Sequence, residues 1–427
     1  MNTLSTQNQS PLLAQIVSTG DEVLTGTVVD SNAAYIAEAL LESGLQVTRH
    51  TTVGDDADRL KQLLSEIGAQ ADIAVVTGGL GPTVDDITAR AAADAAGEPL
   101  VENASALASI EAFFNRFSRS MNPSDAKQAF LPASATPILN RSGTAPGFRM
   151  RIGRCMFFFL PGVPREMKTM MTEMVIPAIM ENHIPPDRRR YCREKRFSVF
   201  GLPEAEVNQR LILPSKQFEG VILGMLARFP IIIVKLSAFG RDTDALDRRI
   251  GEAALKVKEA LGRYIFSDSG DSMEAVVAQL LRKNRSTVAV AESCTGGLVS
   301  DRLTNVAGSS DYFLMSAVTY ANETKTVILG VAAETIEAHG AVSEQTAKEM
   351  ASGIRRISGA DYGVATSGIA GPSGGTDEKP VGTICTAVAG PERVVSSRHV
   401  LPFRDRAANK EIFAHVALEM LRRELLI

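Results

Sequence analysis

The chain has 427 residues, too many for one ordinary core and suited to two or three domains. Its net charge of −4 excludes a protein whose main role is to coat nucleic acid, because such proteins carry a basic domain. Four cysteines without CxxC spacing exclude a disulfide framework, and no Lys or Arg precedes an early apolar segment, so we expect a cytoplasmic protein without a secretory signal or a membrane partner.

Strands and helices alternate through the first predicted domain, residues 12–180. The strands are expected at residues 12–20, 45–53 and 71–79. The helices are expected at residues 31–44, 55–68 and 84–97. This β-α-β-α-β order predicts an α/β domain with a doubly wound, mostly parallel sheet. In such sheets ligands bind outside the carboxyl ends of the strands.

Three polar segments follow strands at that edge: TGDEVLTG (19–26), TGGLGPTVDD (77–86) and PGVPREM (161–167). The glycines of the second segment allow backbone N–H groups to approach an anion at the start of the following helix. Asp85 and Asp86 are expected in the first turn of that helix, where acids stabilise the helix dipole. Dipole stabilisation does not explain a second acidic pair, Asp21 and Glu22, and a divalent cation would bridge both pairs to a phosphate. We therefore expect a metal-dependent phosphoryl or pyrophosphate site.

These segments, with VDSNAAYIA (29–37) and VGDDADRL (53–60), resemble the N-terminal half of the CinA (competence/damage-inducible protein) family. Its first domain is related to the molybdopterin-binding MoaB and MogA proteins. The resemblance implies ADP-ribose pyrophosphatase activity and a divalent ion of the Mg or Co type on Asp85 and Asp86. The nucleotide site that it implies consists of Gly20, Asp21, Glu22, Asn32, Gly78, Gly79, Gly81, Thr83, Pro161, Gly162 and Glu166.

A proline pair and a charge run at residues 181–197 predict a linker into a small α+β connector, residues 190–268, which is KH-like in the family. The charge run, RRRYCREKR (188–196), would suit nucleic acid. However, GLPEAEV (201–207), the nearest match to a GxxG clamp, carries acids where a phosphate would lie. We therefore expect no nucleic-acid partner.

The third predicted domain, residues 272–427, is again α/β, and its segment AESCTGG (291–297) lies between a strand and a helix. Ser293 or Thr295 could cap that helix, whose first turn is expected to contain Gly296 and Gly297. Alternatively, Ser293 is a nucleophile, and Cys294, without a His partner, is a packing residue.

The strand ends that follow favour the nucleophile. VTYANETK (318–325) supplies Tyr320 and Lys325, and TSGIAGPSGG (366–375) supplies a second glycine loop at the same edge. A desolvated lysine can lose its proton near neutral pH and serve as the base of a Ser-Lys hydrolase. Backbone amides at residues 295–297 could form an oxyanion hole or bind a phosphate.

This block, with LTNVAGSS (303–310) and HGAVSEQTAKEMA (339–351), is similar to the C-terminal domain of the CinA family, the PncC-type nicotinamide mononucleotide amidohydrolase. The resemblance implies Ser293 as nucleophile, Tyr320 and Lys325 as its proton-handling partners, no cofactor, and a homodimer. The substrate-binding residues that it implies are Thr295, Gly296, Gly297, Asn322, Ser367, Gly368, Ala370, Gly371, Gly374, Gly375, and Arg404 or Arg406. The sequence leaves one alternative from another class, a non-catalytic nucleotide-sensing scaffold for competence or recombination partners.

Overall fold

The computed structural model describes residues 12–185, 189–401, 403 and 405–427. The chain divides into two units, one of residues up to 193 with 238–248, the other of residues 194–237 with 249–427. Within the described ranges no helix is long and apolar enough to cross a membrane.

The strands of the first unit are β1 (Leu13–Thr19), β2 (Gln46–Val53), β3 (Ile73–Thr77), β4 (Leu100–Glu102), β5 (Phe130–Pro132), β6 (Thr136–Ile138), β7 (Gly147–Ile152) and β8 (Cys155–Leu160). Its helices are α1 (Asp21–Leu24), α2 (Ser31–Glu42), α3 (Ala57–Gln70), α4 (Thr88–Ala96), α5 (Ala104–Arg116), α6 (Pro123–Ala126), α7 (Pro164–Met170) and α8 (Ile176–Asn182). A 3-10 turn covers Lys127–Ala129, and a π-helical segment, Met171–Val175, joins the last two helices.

The main sheet has the order β2-β1-β3-β8-β7-β6, in which the first four strands are parallel. Two hydrophobic cores cover its two faces, one including α3 and α4 and the other including α2 and α7. Strand β8 contributes to both, because Phe157 and Phe159 point to one core and Phe158 to the other. The predicted doubly wound, mostly parallel α/β domain is confirmed.

The predicted helix over residues 84–97 begins later than expected, at Thr88, and ends at the left-handed Gly97. Asp85 and Asp86 therefore lie in the turn before the helix and not in its first turn. The Asp86 carboxylate accepts hydrogen bonds from the Thr83 amide (2.7 Å) and hydroxyl (2.6 Å), which closes a separate turn. The helix dipole thus no longer accounts for these acids.

The connector contains β9 (Tyr191–Val199), β10 (Val221–Arg228), β11 (Ile231–Gly240) and β12 (Ile265–Ser267), in the order β10-β11-β9-β12. Its helices are α9 (Glu204–Ser215) and α10 (Thr243–Leu261), followed by a 3-10 turn, Gly262–Tyr264. The α+β class is confirmed. The expected linker is wrong from Tyr191 onward, because β9 begins there and takes up the last six residues of the charge run.

The C-terminal part contains β13 (Val288–Glu292), β14 (Phe313–Val318), β15 (Tyr362–Gly368), β16 (Thr383–Ala389) and β17 (Val394–Val400). Its helices are α11 (Met273–Asn284), α12 (Leu298–Thr304), α13 (Asn322–Leu329), α14 (Ala333–His339), α15 (Glu344–Ser358) and α16 (Arg406–Glu424). The sheet order is β14-β13-β15-β16-β17, with the first three strands parallel and the last two joined as an antiparallel hairpin. Helices α11, α12 and α16 pack on one face and α15 on the other, which confirms the α/β class.

Candidate functional sites

The first candidate site is a cavity of about 530 Å³ at the carboxyl ends of β1 and β3. All but one of the residues predicted for the N-terminal nucleotide and metal site line it. They are Gly20, Glu22, Asn32, Gly78, Gly79, Gly81, Thr83, Asp85, Asp86, Pro161, Gly162 and Glu166. The exception, Asp21, lies beside the cavity and exchanges hydrogen bonds of 3.2 Å with Asp55.

Glycine is required in the loop after β3. Gly78 and Gly79 have φ angles of 106° and 66°, a region that L side chains rarely adopt. A Cβ on Gly78 would lie 2.4 Å from the Thr19 carbonyl oxygen, and one on Gly79 would lie 2.2 Å from the Thr88 hydroxyl. The loop therefore packs against β1 and α4 with its backbone facing the cavity.

The acids around this cavity differ in their surroundings. Burial raises the pKa of Asp55, a hydrogen bond from the Asp21 amide lowers it, and the charges of Asp21, Glu22 and Asp85 raise it further. Asp86, in contrast, is engaged by Thr83. Within the described ranges no three His, Cys, Asp or Glu side chains are arranged to hold a metal ion by themselves. The uncompensated carboxylates still fit a hard divalent cation, which in phosphate sites takes one or two carboxylates and completes its shell with phosphate oxygens and water.

Asn32 is one of the buried polar residues that line this cavity. Its amide nitrogen donates to the Gly162 carbonyl oxygen (2.7 Å) and the Thr77 hydroxyl (3.2 Å), so it ties β3 to the loop after β8. Its side-chain oxygen is buried and has no hydrogen-bond partner in the described structure. An unpaired buried acceptor is costly, and a donor on a bound ligand would satisfy it. Glu166 is held by the Asn140 amide at 2.6 Å.

The second candidate site lies at the carboxyl edge of the C-terminal sheet. Glu292, the last residue of β13, pairs with Val318 on one side and Thr366 on the other. The amides of Ser293 and Thr319 then bond to carbonyl oxygens across the strands, at 3.0 and 2.8 Å. Neighbouring strands lie about 4.8 Å apart. Ser293 therefore leaves the sheet between the ends of β14 and β15.

Glu292 explains the start of α12. Its fully buried carboxylate accepts from the amides of Gly297 (2.9 Å), Val299 (3.2 Å) and Ser300 (2.9 Å). Helix α12 begins at Leu298 with Gly297 as its N-cap, so the expectation that its first turn contains Gly296 and Gly297 is wrong. No side-chain hydroxyl caps this helix. Glu292 therefore caps α12, and Ser293 does not have the capping role that was the alternative to catalysis.

The Thr295 hydroxyl is used elsewhere, 2.7 Å from the hydroxyl of Thr366. The Gly296 amide donates to the Ser293 carbonyl oxygen, and the Gly297 amide donates to Glu292. Both amides already have acceptors within the chain, which contradicts the expected oxyanion or phosphate role for these two of the three amides at residues 295–297.

Lys325 is almost fully buried, with 1% of its surface exposed. Its Nζ donates to the carbonyl oxygens of Thr319 (2.9 Å) and Tyr320 (3.1 Å), the two residues that follow β14 beside Ser293. Burial lowers the pKa of Lys325, although Cys294 and Glu323 raise it in part. A neutral amine has two N–H donors and one lone pair, so these two carbonyls satisfy it completely and leave the lone pair free.

Cys294 follows Ser293 directly in the chain. It is 5% exposed, and burial raises the pKa of its thiol to about 12. Its sulfur lies 3.2 Å from the Cβ position of Gly368. A thiol in these surroundings stays protonated at neutral pH, which supports the expected packing role.

Helix α16 brings cations to this edge. Arg406 donates to the Tyr320 hydroxyl (3.0 Å) and the Gly371 carbonyl oxygen (2.8 Å). One turn later, the ammonium of Lys410 lies 3.6 Å from where a Cβ on Gly296 would be, and no described carboxylate forms an ion pair with it. Arg404 lies outside the described residues.

The remaining predicted substrate-binding residues differ in accessibility. Ser367 is buried and donates to the Ala341 carbonyl oxygen at 2.6 Å, while the Ala370 carbonyl oxygen accepts from Asn409 at 3.0 Å. The exposed members are Asn322, at the start of α13, and the loop residues Gly374 and Gly375.

Comparison with known proteins accounts for nearly the whole chain. Residues 15–181 match the family "Probable molybdopterin binding domain", residues 194–267 "Damage-inducible protein CinA KH domain", and residues 270–425 "CinA C-terminal domain". A CinA-like protein of Desulfosudis oleivorans is 51% identical over 415 residues, covering 97% of this chain and 100% of the relative. The chain belongs to the CinA family. A CinA-like protein of Geobacter sulfurreducens is 44% identical over 411 residues, with 96% and 98% coverage.

Solved structures of CinA proteins match part of the chain. CinA of Thermoplasma acidophilum is 36% identical, covers 39% of this chain and 96% of its own, and has a TM-score of 0.37. The competence/damage inducible protein CihA of Agrobacterium tumefaciens is 38% identical, with 37% and 98% coverage and a TM-score of 0.35.

Three residues of this CinA-family chain lie at the candidate sites but were not assigned to them from the sequence. Asp55 stood in a quoted motif, VGDDADRL, but its cavity position depends on the approach of β2 to β1. Glu292 was visible as an acid at the end of an apolar strand, which is an unusual place for a charge. Lys410 offered no signal, because α16 meets the loop after β13 only in the folded domain.

Proposed function

We propose that the C-terminal domain hydrolyses the carboxamide of nicotinamide mononucleotide to nicotinate mononucleotide and ammonia. The choice of substrate comes from the family resemblance. The observation that carries the proposal is the division of roles around Ser293. Glu292 caps α12, which leaves the serine hydroxyl without a structural task. The buried Lys325, whose pKa is lowered, extends from α13 to the carbonyl oxygens of the two residues that follow the neighbouring strand β14.

The reaction follows from these positions. The Ser293 hydroxyl oxygen attacks the carboxamide carbon while its proton passes to the neutral amine of Lys325. The C–N bond then breaks, and the ammonium of Lys325 returns the proton to the departing nitrogen, which leaves as ammonia. Water hydrolyses the acyl-serine, with Lys325 again accepting a proton, to give the carboxylate and free serine.

Cations at the edge account for the nucleotide part of the substrate. Among the described residues no carboxylate pairs with the ammonium of Lys410, which lies beside the glycine turn, and Arg406 holds Tyr320 and the loop at Gly371. We propose that Lys410 binds the 5′-phosphate and that Arg406 positions the loop that covers the ribose. A phosphate is the part of this substrate with the charge to match an unpaired ammonium.

For the N-terminal domain we propose metal-dependent hydrolysis of ADP-ribose. The glycine loop would hold the pyrophosphate, and Asp85 with Asp55 would hold a divalent ion of the Mg or Co type, whose shell phosphate oxygens and water would complete. Such an ion would neutralise the phosphates and activate water. The unpaired side-chain oxygen of Asn32 would accept from a ribose hydroxyl.

The experiment measures ammonia release from nicotinamide mononucleotide and AMP release from ADP-ribose by the full chain, each with and without EDTA. We expect ammonia release to survive chelation and AMP release to require added Mg²⁺ or Co²⁺. Binding of both nucleotides without turnover of either would contradict the proposal and favour the nucleotide-sensing scaffold.

A further inference from the structure

Lys127 holds the turn that carries Asp85 in the N-terminal domain. Its Nζ donates to the carbonyl oxygens of Thr83 and Asp86, the latter at 3.0 Å. Asp85 lies between these two carbonyls in the sequence, so the lysine fastens the main chain on both sides of it. Lys127 comes from the 3-10 turn after α6, an element that follows the acidic turn by about forty residues in the chain.

The acidic turn, residues 81–86, has few other ties to the fold. Leu80 before it is buried in the hydrophobic core, and Ile87 after it packs against that core. Between them Val84 is 89% exposed, so side-chain packing does not hold the turn in place. Among the described residues, Lys127 is the only member of another element that forms a hydrogen bond with residues 81–86. Its two bonds therefore fix the position of this turn.

The main chain of Lys127 is itself well fixed. At the start of α6 the Asp125 carboxylate accepts a hydrogen bond from the Asn122 amide at 2.8 Å. The two residues that follow the lysine, Gln128 and Ala129, are buried. The side chain thus links a packed segment to an exposed turn.

The ammonium of Lys127 binds the main chain of the turn and leaves its carboxylates available. It forms no ion pair with any described carboxylate, although Asp85 and Asp86 both lie in the turn that it holds. An ion pair with Asp85 would neutralise that acid, whereas bonds to carbonyl oxygens keep its negative charge free for a cation. Asp85 lines the same cavity as Asp55, and its charge contributes to the raised pKa of Asp55. The two acids therefore interact across this cavity.

We propose that Lys127 is a positioning residue of the N-terminal site, which holds the acidic turn so that Asp85 and Asp55 can bind one divalent cation together. The proposal rests on the function proposed for this domain and adds a residue that none of its motifs contains. Lys127 acts through Asp85 and does not contact the cation, because an ammonium and a metal ion repel each other. Residues that orient a metal ligand typically change metal affinity by about 10–100-fold when they are removed.

Removal of Lys127 has two effects of opposite sign on a bound cation. Loss of a nearby positive charge reduces repulsion, which by itself would tighten cation binding. Loss of the two hydrogen bonds frees the turn that carries Asp85, which would weaken cation binding. The direction of the change in metal affinity therefore distinguishes positioning from a simple effect of charge.

The test measures Mn²⁺ binding to the full chain without nucleotide, by the electron paramagnetic resonance signal of the unbound ion. We expect Lys127→Met to weaken Mn²⁺ binding by about 10–100-fold. Lys127→Arg, which keeps N–H donors for the two carbonyls, should retain most of the affinity. Lys61→Met, which removes an exposed lysine of α3 outside the cavity, should leave it unchanged. Hydrogen exchange of peptides that cover residues 80–88 should be faster in Lys127→Met and close to wild type in Lys127→Arg.

Unchanged Mn²⁺ binding in Lys127→Met would overturn the proposal and leave the lysine a structural contact, and tighter binding would overturn it in favour of a charge effect. Equal losses in the two Lys127 variants, or no Mn²⁺ binding by wild type, would overturn it as well. Weaker Mn²⁺ binding in Lys127→Met, combined with no AMP release from ADP-ribose by wild type, would support the positioning role and count against the proposed function alone.

Discussion

Replacing Glu292 with glutamine tests the division of roles between Glu292 and Ser293. In the native site one carboxylate oxygen accepts from the Gly297 and Val299 amides, and the other accepts from the amide and the hydroxyl of Ser300. Glutamine replaces one of these oxygens with an NH₂ group, which cannot accept. Two hydrogen bonds to a buried charge are therefore lost, and the other two become neutral.

The size of the effect follows from these bonds. Hydrogen bonds to charged groups contribute about 1.5–3 kcal/mol each, so the loss of two should weaken the start of α12 by about 3 kcal/mol or more. Since about 1.4 kcal/mol corresponds to a factor of ten, local opening should become more than about a hundredfold more frequent. Ser293→Ala should leave this opening unchanged, because the serine hydroxyl caps nothing.

The assay is hydrogen exchange by mass spectrometry on the full chain, read on peptides that cover residues 293–304. We expect faster exchange there in Glu292→Gln, with wild-type exchange in the first unit, and wild-type exchange throughout in Ser293→Ala. If Ser293→Ala accelerated exchange of this segment as much as Glu292→Gln, the serine would be part of the cap and the argument for a free nucleophile would fail.

Further predictions concern the bases, cations and acids of the two sites. Burial lowers the pKa of Lys325 below its ordinary value of 10.5, so the neutral amine should form at a lower pH than in free lysine. As pH rises and the neutral amine forms, kcat/KM for nicotinamide mononucleotide should rise with it. Lys325→Arg should lower kcat by about 10²–10⁴-fold and remove this rise of kcat/KM with pH. If the variant kept the rise, Lys325 would be excluded as the base. Lys410→Gln should raise KM for nicotinamide mononucleotide about fivefold but not for nicotinamide riboside, which lacks the phosphate. An equal loss with both substrates would contradict a phosphate contact. The pKa of Asp55 in the folded protein is raised above 3.8. Ionisation of Asp55 therefore lowers the stability of the folded state as pH rises through that raised pKa. Asp55→Asn should therefore raise Tm at pH 7 more than at pH 4 while abolishing metal-dependent AMP release, and an unchanged Tm difference between the two pH values would refute the charge cluster.

Much of the fold followed from local patterns. The β-α-β order fixed parallel strands in both α/β parts, and parallel strands deliver their carboxyl ends to one edge. That is why Ser293 and Lys325 could be assigned to one site from residues 32 positions apart in the sequence. Buried runs such as residues 155–160 were equally clear, because a strand covered on both faces is apolar throughout.

The sequence could not show which side chain satisfies which backbone group. The glycine pair at residues 296–297 suggested a helix start, but the cap comes from Glu292, through hydrogen bonds that form only once the strand and helix are packed. Asp85 and Asp86 were predicted in the first turn of α4, but they lie in the turn before that helix. The hydrogen bond from the Thr83 hydroxyl to Asp86 closes this separate turn, which competes with the helix. Asp55 and Lys410 reach their sites from other elements, and their partners lie far away in sequence.

The most direct test of the central claim is ammonia release from nicotinamide mononucleotide by wild type, Ser293→Ala and Cys294→Ala, all in the presence of EDTA. We predict that wild type and Cys294→Ala release ammonia and that Ser293→Ala does not. Ammonia release by Ser293→Ala, or none by the wild type, would contradict the serine amidohydrolase.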